Sequence, residues 1–572
     1  MAAELIGQIL RRRTGLSEEQ LADALSSQSR QETHEKIGGL LTASGLVSPE
    51  HVLRALAEQW GLPYFEAVSP GQLNRDLVLG LEFEFLRKHT LLPLVNGDGT
   101  VTVAMADPTD VKAFDAVASI LGRRCGRAVC PPAVIEDALT RCYYREGDSA
   151  SAILEELGED GDLARAAGGV EAEDLMDVAN RAPIVKLVNT IFYQAVQSRA
   201  SDIHIEPYER EVKVRFRIDG VLHDRFTPPK QYVAALVSRL KIMANLNIAE
   251  RRLPQDGRSR IKIGEKGIDV RVSTMPTSGG ERVVLRLLDK GTARFGLDEL
   301  GFAPEGEEQF RRLVKMPHGI VLLTGPTGSG KTTTLYAALS EINTEDRNIL
   351  TVEDPIEYQL PGIGQMQVRP QINLTFAGSL RHILRQDPDV IMVGEIRDLE
   401  TAEIAIQAAL TGHLVFSTLH TNDSATAVTR LLDMGIEPYL VSSSVAAIMA
   451  QRLVRVVCPS CKSRCEVTAQ ERAALAGRMP ETGATLFRGT GCPACIETGY
   501  LGRTGIFELL LVDDDIRELT MQHARPNIIK RKAVESGMRT LRDDGIRKVL
   551  AGETTIEEVL RVTQDDTVHY EA

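Results

Sequence analysis

Residues Gly325 to Thr332 read GPTGSGKT, which fits the pattern G-x-x-x-x-G-K-[ST]. The apolar run GIVLLT before them predicts a buried strand, and TTTLYAALSEI after it predicts a helix. Glycines in such a turn let backbone N–H groups surround phosphate, and the helix N-terminus adds partial positive charge. We therefore expect ATP to bind here, with Lys331 on the β- and γ-phosphates and Thr332 on Mg²⁺. The predicted nucleotide-binding residues are Gly325, Pro326, Thr327, Gly328, Ser329, Gly330, Lys331, Thr332 and Thr333.

Carboxylates follow two other apolar runs. Glu395 ends DVIMVGE, and Gly394 stands where many P-loop proteins carry an Asp. Glu395 must then serve the Mg²⁺ shell, directly or through water. The run LTVEDPIE supplies Glu353, Asp354 and Glu357, and carboxylates at a strand end can position and deprotonate an attacking water. Glu357 is the predicted catalytic residue, whereas a structural or a Mg²⁺ role suits Asp354 equally well.

Two histidines flank the run LVFSTL. His420 follows it in STLHTND, on the nucleotide side if the strand belongs to a parallel sheet, and is a candidate sensor of the γ-phosphate. A structural role is the alternative for His420. His413 precedes the strand, and we expect it to be structural.

Four of the eight cysteines form two C-x-x-C pairs, separated by 30 residues. Four thiolates at such spacing suit a structural, tetrahedral Zn²⁺, and TAQERAALAGR would fill the gap as a helical insertion. Reduced thiols without a ligand are the alternative. The predicted metal ligands are Cys458, Cys461, Cys492 and Cys495. The remaining cysteines are interpreted as ordinary thiols: Cys125, Cys130, Cys142 and Cys465.

The elements that must position these residues suggest a multidomain α/β chain. Strands alternate with helices after residue 300, which predicts a parallel, doubly wound sheet. The first residues repeat at an offset of 31, with two short helices in each copy, and two strands are predicted around the turn Asn-Gly-Asp-Gly. The predicted domains are an N-terminal docking domain (1–145), an acidic linker with a short helix (146–180), an arginine-bearing α+β domain (181–295) and an ATPase domain (296–572), with the cysteine module at about 455–500 and C-terminal helices.

Composition excludes several classes of protein. The 572 residues are 43% hydrophobic and 25% charged, as in globular proteins. The net charge of −13 argues against a general nucleic-acid binder. We see no apolar stretch of the roughly 18–20 residues that span a bilayer, and the basic cluster RRR follows a short apolar stretch, the reverse of a secretory signal. The chain is expected to be cytoplasmic.

Together the motifs resemble the type II/type IV secretion ATPase superfamily. The resemblance rests on GPTGSGKTTT, ILTVEDPIEY, GEIRD and STLHTND, and upstream on ASDIHIEPYE, RFRIDG, LPQDGR and RVSTMPTSGGERVVLRLL. It covers about residues 180–560. LLDMGIEP, AQRLVRVVCPSC and GRTGIFELL are most similar to the type II secretion branch. The resemblance implies a RecA-like P-loop ATPase core, preceded by a PAS-like α+β domain and a small N-terminal α/β domain, with a Zn²⁺-binding insertion.

The resemblance also implies roles for individual residues. Lys331 and Thr332 match the family's P-loop pair, and Glu357 matches the glutamate thought to activate water. Glu395 matches the Walker B glutamate, which follows a Gly in this family. His420 matches the His-box histidine. Four arginines match family positions at which some arginines contact nucleotide. The other arginines would form only ion pairs on the face of a strand. These arginines are Arg217, Arg258, Arg271 and Arg282.

Family members work as hexameric rings, so a homo-hexamer is implied. The expected partners are a membrane-anchored assembly protein and a platform protein of the inner membrane, with acidic phospholipid as a further candidate. The chain would then be cytoplasmic and peripheral at the inner face of that membrane. The expected function is ATP hydrolysis that powers pseudopilus assembly and protein export by type II secretion.

The N-terminal repeat resembles a module that binds cyclic di-GMP. Its second copy fits from Ile37 to Gln59, with Lys36 in the position of an Arg. In the first copy Leu5 replaces that Arg and Thr14 replaces a Gly. Because Lys only partly replaces a bidentate guanidinium, we favour docking to the membrane partner over nucleotide binding.

Three alternatives to the secretion motor remain. The first is a type IV pilus extension ATPase, which shares nearly all the motifs. The second is a RecA-like nucleic-acid translocase, against which the acidic charge argues. The third is a cyclic-dinucleotide sensor with a degenerate ATPase, against which the complete set of phosphate-site residues argues.

Overall fold

The computed structural model describes residues 5–30, 36–74, 77–78, 81, 83–143, 179, 182–263, 266–289, 296–468, 471, 475 and 485–563. It divides into two compact units. The first comprises Met1–Gln197, Ile203–Arg215 and Asp224–Leu287, and the second Ser198–Asp202, Phe216–His223 and Leu288–Ala572. The predicted acidic linker at 146–180 lies outside the described residues apart from residue 179, as does most of the predicted insertion TAQERAALAGR.

The N-terminal repeat forms two pairs of helices, as its spacing predicts. The pairs are Ile6–Thr14 with Glu18–Arg30, and Ile37–Ala43 with Pro49–Trp60. Ser17 and Gln20 form a capping box at the second helix, since the N–H of Gln20 donates to Ser17 Oγ (3.1 Å) and that of Ser17 to Gln20 Oε1 (3.0 Å).

A three-stranded sheet follows the repeat. Its strands, in spatial order, are β1 (Leu91–Val95), β2 (Val101–Met105) and β3 (Cys125–Val129). The β1–β2 pair is antiparallel around the predicted turn, and β2–β3 is parallel. Three helices accompany this sheet: Phe83–His89, Val111–Leu121 and Pro132–Tyr143.

The arginine-bearing segment forms a six-stranded sheet in the order β6-β5-β4-β9-β8-β7. The strands are β4 (Ala200–Pro207), β5 (Val212–Ile218), β6 (Val221–Phe226), β7 (Gln255–Ile263), β8 (Lys266–Thr277) and β9 (Gly280–Asp289). Val212, Val214 and Phe216 are fully buried, whereas the basic residues between them are half-buried, because successive side chains of a strand point to opposite faces of the sheet. The segment also contains the helices Ala182–Gln197 and Val233–Met243. Its PAS-like classification stays a prediction.

The second unit contains a seven-stranded sheet in the order β12-β11-β13-β14-β10-β15-β18. Its strands are β10 (Gly319–Thr324), β11 (Ile349–Glu353), β12 (Gly364–Gln367), β13 (Val390–Val393), β14 (Leu414–Leu419), β15 (Val445–Val457) and β18 (Tyr500–Leu511). All neighbours are parallel except β15 and β18. The antiparallel edge corrects the expectation of a wholly parallel sheet.

Helices flank this sheet, and its central strands are buried. Ile320 and Leu322 belong to one apolar core cluster, and Val321 and Leu323 to a second. Because side chains alternate along a strand, the two clusters lie on opposite faces, as in a doubly wound fold. The helices are Pro304–Val314, Lys331–Ile342, Phe376–Ile383, Leu399–Leu410, Ser424–Asp433 and Pro438–Ser444. The predicted C-terminal helices are Asp514–Met521, Pro526–Glu535, Leu541–Leu550 and Ile556–Val562.

The cysteine module stands between β15 and β18. Its two described strands, β16 (Lys462–Cys465) and β17 (Leu486–Gly489), pair antiparallel. Within the described ranges, none of the helices has the length and apolar character needed to cross a membrane.

Candidate active site

The predicted phosphate site lies at the carboxyl end of β10, between that strand and the helix Lys331–Ile342. Gly325, Gly328 and Gly330 all have positive φ. A Cβ at Gly325 would lie 2.6 Å from the carbonyl oxygen of Gln451, and a Cβ at Gly330 would lie 2.8 Å from the side-chain Nε2 of Gln451. The loop can therefore adopt this shape only with glycine at these positions.

Two polar groups of the loop suit a phosphate ligand. The hydroxyl of Ser329 is buried and has no hydrogen-bond partner within the described part of the chain. Lys331 is 8% exposed, and its Nζ donates to the carbonyl oxygens of Gly325 (2.6 Å) and Pro326 (3.1 Å). Burial, with the charge of Arg452, lowers the pKa of Lys331 to about 8, although Glu395 acts in the opposite direction. The loop thus holds a donor and a cation that a phosphate would satisfy.

The ends of neighbouring parallel strands bring further predicted residues to the same edge. Glu395 follows β13 and His420 follows β14, which pairs with β10. His420 Nε2 lies 3.1 Å from Glu395 Oε2. Glu395 also forms an ion pair with Arg397, a residue that had no predicted role. The side chain of Glu395 is 14% exposed and that of His420 is 49% exposed. This arrangement holds a carboxylate and an imidazole together beside the phosphate strand.

The acidic segment follows β11, the next strand of the parallel set. Glu353 is buried, Asp354 is exposed and Glu357 is half-buried. Tyr336, on the helix that begins at Lys331, donates its hydroxyl to Glu353 Oε2. The backbone N–H of Glu357 points to the same hydroxyl at 3.4 Å. The sequence did not indicate Tyr336, which reads as one more apolar position of a buried helix.

Two residues of β15 also border the phosphate loop. Gln451 Oε1 accepts from Thr334 Oγ1 at 2.9 Å. The guanidinium of Arg452 donates to the carbonyl oxygens of Gln451 (3.0 Å) and Asn422 (2.6 Å), and burial lowers its pKa. Both are nearly fully buried. The spacing of the motifs predicts no role for these two residues, because β15 lies beside the phosphate loop only in the folded chain.

The four predicted arginines lie on the six-stranded sheet. Arg217 donates to the carbonyl oxygen of Gly220 (2.9 Å) and lies 3.7 Å from Asp202. Arg282 Nη2 lies 2.6 Å from Glu206 Oε1. Arg258 and Arg271 stand directly opposite each other on β7 and β8. Arg217 and Arg282 thus form the strand-face ion pairs that were the alternative to a nucleotide role. That some of these four arginines contact nucleotide stays a prediction.

The four predicted metal ligands come together in the cysteine module. The Sγ atoms of Cys458, Cys461, Cys492 and Cys495 all lie within 4.8 Å of one another. Three of their separations are 3.8, 3.8 and 3.7 Å. A tetrahedral metal with sulfur bonds of about 2.3 Å requires separations of about 3.8 Å. The N–H groups of Cys492 and Gly499 donate to Cys495 Sγ at 3.2 and 3.3 Å, which favours a thiolate there. The cluster fits a metal such as zinc.

Comparison with known proteins places the chain in a family. The family model described as "Type II/IV secretion system protein" matches residues 177–561, and that of the MshEN domain matches residues 60–149. Type II secretion system protein E of Xanthomonas campestris is 50% identical over 92% of this chain and 93% of its own length. Type II secretion system ATPase E of Vibrio cholerae is 48% identical over 87% and 99%. Type IV pilus assembly ATPase PilB of Myxococcus xanthus is 43% identical over 98% and 99%.

These matches confirm the resemblance that the motifs carry. The family model covers both the six-stranded and the seven-stranded sheet, and the relatives align over nearly their full length. The chain therefore belongs to the type II/IV secretion system protein family, as a P-loop ATPase with an additional N-terminal MshEN domain.

Proposed function

We propose that this chain hydrolyses ATP in the cytoplasm to power pseudopilus assembly and protein export by a type II secretion system. The observation that carries the proposal is the contact between Glu395 and His420 at the same sheet edge as the phosphate loop of Lys331. The similarity to type II secretion system proteins E over nearly their whole length supports the choice of system.

The proposed chemistry follows from the positions of the side chains. Lys331 would exchange its two loop carbonyls for phosphate oxygens, which neutralises charge on the β- and γ-phosphates. Thr332 and Glu395 would hold Mg²⁺, which supplies a Lewis acid to the phosphate oxygens when bound. Glu357 would accept the proton of the attacking water, and His420 would respond to the γ-phosphate through its contact with Glu395.

Substitution tests the proposed site. We expect Lys331→Ala and Glu357→Gln each to lower the ATP hydrolysis rate at least about 100-fold. Glu535→Gln, which changes an exposed carboxylate on the helix Pro526–Glu535, is the matched control and should keep the wild-type rate. A Lys331→Ala variant with the wild-type rate would show that the nucleotide binds elsewhere.

The proposed working form is a homo-hexamer at the inner face of the inner membrane. It would act through a membrane-anchored assembly protein and a platform protein.

We propose that residues 1–145 dock the membrane-anchored assembly protein. Lys36, which stands in the position of an Arg of the cyclic di-GMP pattern, forms an ion pair with Asp107 and donates to Thr109 Oγ1 at 2.7 Å. Deletion of residues 1–145 should abolish binding to the cytoplasmic part of the assembly protein; retained binding would refute the docking role.

Steady-state ATP hydrolysis by the full chain distinguishes secretion from nucleic-acid translocation. One series adds the cytoplasmic part of the assembly protein with acidic phospholipid, and the other adds single-stranded DNA. We expect stimulation only in the first series, since the chain carries a net charge of −13. Stimulation by DNA alone would overturn the secretion role in favour of a translocase.

A second candidate function is pilus extension, favoured by the 43% identity to PilB over 98% of the chain. Assembly proteins from the two kinds of system, added separately, would distinguish them. Under the leading proposal only the type II secretion partner stimulates hydrolysis.

We further propose that the cysteine cluster holds one structural Zn²⁺. Four sulfur ligands leave no open coordination position, which suits structure and not catalysis. Metal analysis of the purified chain should find close to one zinc per chain, and a content well below one would refute the assignment.

A further inference from the structure

A buried carboxylate beside the nucleotide edge is held by neutral groups. Glu353 is 3% exposed, and the side chains that hydrogen-bond to it within the described residues are neutral. Its Oε1 accepts hydrogen bonds from Thr351 Oγ1 (2.6 Å) and Gln365 Nε2 (3.0 Å), and its Oε2 accepts from the hydroxyl of Tyr336. A buried charge that is satisfied by three neutral donors is fixed in place by their geometry.

The hydroxyl of Tyr336 uses its full hydrogen-bonding capacity. It donates to Glu353 and lies 3.4 Å from both the backbone N–H of Glu357 and the side-chain amide of Gln365. A phenol has one donor and two acceptor positions, so these three contacts fill it. Burial, and then the charge of Glu353, raises the pKa of Tyr336, so the hydroxyl stays a donor.

This one hydroxyl joins three elements of the site. Tyr336 is on the helix whose first residue is Lys331, Glu353 ends β11, and Glu357 lies on the loop that follows β11. The ring of Tyr336 is itself fixed, since it is 1% exposed and packs edge-on against Tyr358 with centroids 4.5 Å apart. The distance between the phosphate loop and the backbone of Glu357 is thereby set by a rigid bridge.

We infer that Tyr336 is a positioning residue, which holds the loop of Glu357 in register with the phosphate-binding helix through its contacts with Glu353 and the Glu357 N–H. The inference rests on the role proposed above for Glu357. A base must stand within hydrogen-bond reach of the water it activates, and an error of about 1 Å can cost roughly 100-fold in rate. A group that acts only through Glu357 should affect the chemical step and leave nucleotide binding unchanged.

The test is a double-substitution cycle in the full-length chain. We expect Tyr336→Phe to lower kcat roughly 10- to 100-fold, with the KM for ATP and the Kd of a non-hydrolysable ATP analogue within about twofold of wild type. In a Glu357→Gln background, adding Tyr336→Phe should change kcat by less than about twofold, because the group it positions is already lost. Tyr358→Phe is the matched control: it removes a neighbouring phenol hydroxyl that takes part in none of these hydrogen bonds, and it should keep wild-type kinetics.

The outcomes separate this inference from the proposed function. If Glu357→Gln has wild-type kcat, the role of Glu357 fails. If Glu357→Gln is impaired but Tyr336→Phe keeps wild-type kcat, or its loss is equally large in both backgrounds, the positioning role fails. Should Tyr336→Phe not fold, Glu353→Gln takes its place in the cycle. The donors on Oε1 then direct the new amide nitrogen toward the hydroxyl of Tyr336, where three N–H donors compete for two acceptor positions, so the same pattern of kcat loss is expected.

Discussion

At the scale of single residues, Lys331 makes nucleotide binding depend on pH. Burial and the charge of Arg452 lower its pKa to about 8 in the free protein, and bound phosphates would raise it again. The ammonium form is the one that binds phosphate, so above pH 8 binding must be accompanied by proton uptake. We expect the Kd for ATP to be about tenfold larger at pH 9 than at pH 7. Calorimetry in buffers of different ionisation enthalpy measures both the Kd and the proton uptake.

Lys331→Met is the control for this pH dependence. The variant binds ATP more weakly, but it has no ammonium to titrate in this range, so its Kd should be the same at pH 7 and pH 9. Equal affinity of the wild-type chain at the two pH values, without proton uptake at pH 9, would contradict the prediction.

The residues that the sequence indicated differ in one respect from those it missed. Lys331, Glu395 and the four cysteines are polar residues at fixed spacing beside apolar runs, so the local pattern is enough to find them. Tyr336 and Gln451 acquire their roles only when β11 and β15 are placed beside the phosphate loop. A buried Tyr on a helix cannot be distinguished from a core residue before its partner is known.

At the scale of elements, one carboxylate holds the N-termini of two helices. Glu508 on β18 is 1% exposed, and burial raises its pKa. Its Oε1 accepts from the N–H (3.0 Å) and hydroxyl (2.5 Å) of Ser424, the first residue of one helix. Its Oε2 accepts from the N–H of Leu541, the first residue of another (3.3 Å). The segment carrying His420 is thereby joined to the C-terminal helices.

Glu508→Gln should therefore destabilise the second unit. An amide offers one acceptor oxygen, so a buried N–H at one of the two helices loses its partner, at a cost of about 1–3 kcal/mol. Thermal unfolding followed by calorimetry should show a lower transition temperature. Glu535→Gln removes a charge from an exposed site and should leave the transition unchanged. Identical transitions in both variants would show that Glu508 does not cap these helices.

The cysteine module gives a second prediction for an element. Cys461→Ser removes one of four metal ligands and should lower both the zinc content and the unfolding temperature, because metal binding contributes folding free energy. Cys465→Ser is the matched control, since Cys465 lies on β16 of the same module but outside the cluster. Loss of zinc in both variants alike, or in neither, would contradict the assignment of ligands.

Most elements of the second unit could be predicted from the sequence, but the order of strands at the edge could not. GIVLLT, DVIMV and LVFSTL are apolar runs too short for helices, and each became a central strand. The antiparallel pairing of β15 with β18 depends on the cysteine module, after which the chain returns along β15. A hairpin with a folded insertion in place of a short turn leaves no local signal of its pairing.

At the scale of the whole molecule, the predicted arginines and the nucleotide residues belong to different sheets. Glu206 on the six-stranded sheet is buried between Arg215 and Arg282, so both guanidinium groups share an anionic partner within one chain. Arg258 and Arg271 stand directly opposite each other on β7 and β8, and two guanidinium groups in register attract an anion more strongly than one does. Such a pair is the better candidate for a charge that a chain contributes to a neighbour's nucleotide.

In the proposed hexamer, ATP hydrolysis must then depend on contact between chains. We expect the rate per chain to rise with protein concentration, together with assembly followed by sedimentation velocity. Mixing wild-type chains with an equal amount of Arg258→Ala chains should lower the rate per wild-type chain to roughly half, because half of the neighbours in a closed ring then lack the contributed charge. Mixing with Glu535→Gln chains, which keep an intact site, should leave the rate per wild-type chain unchanged. A rate per chain that stays constant on dilution to monomers, and in both mixtures, would show that each chain hydrolyses ATP alone.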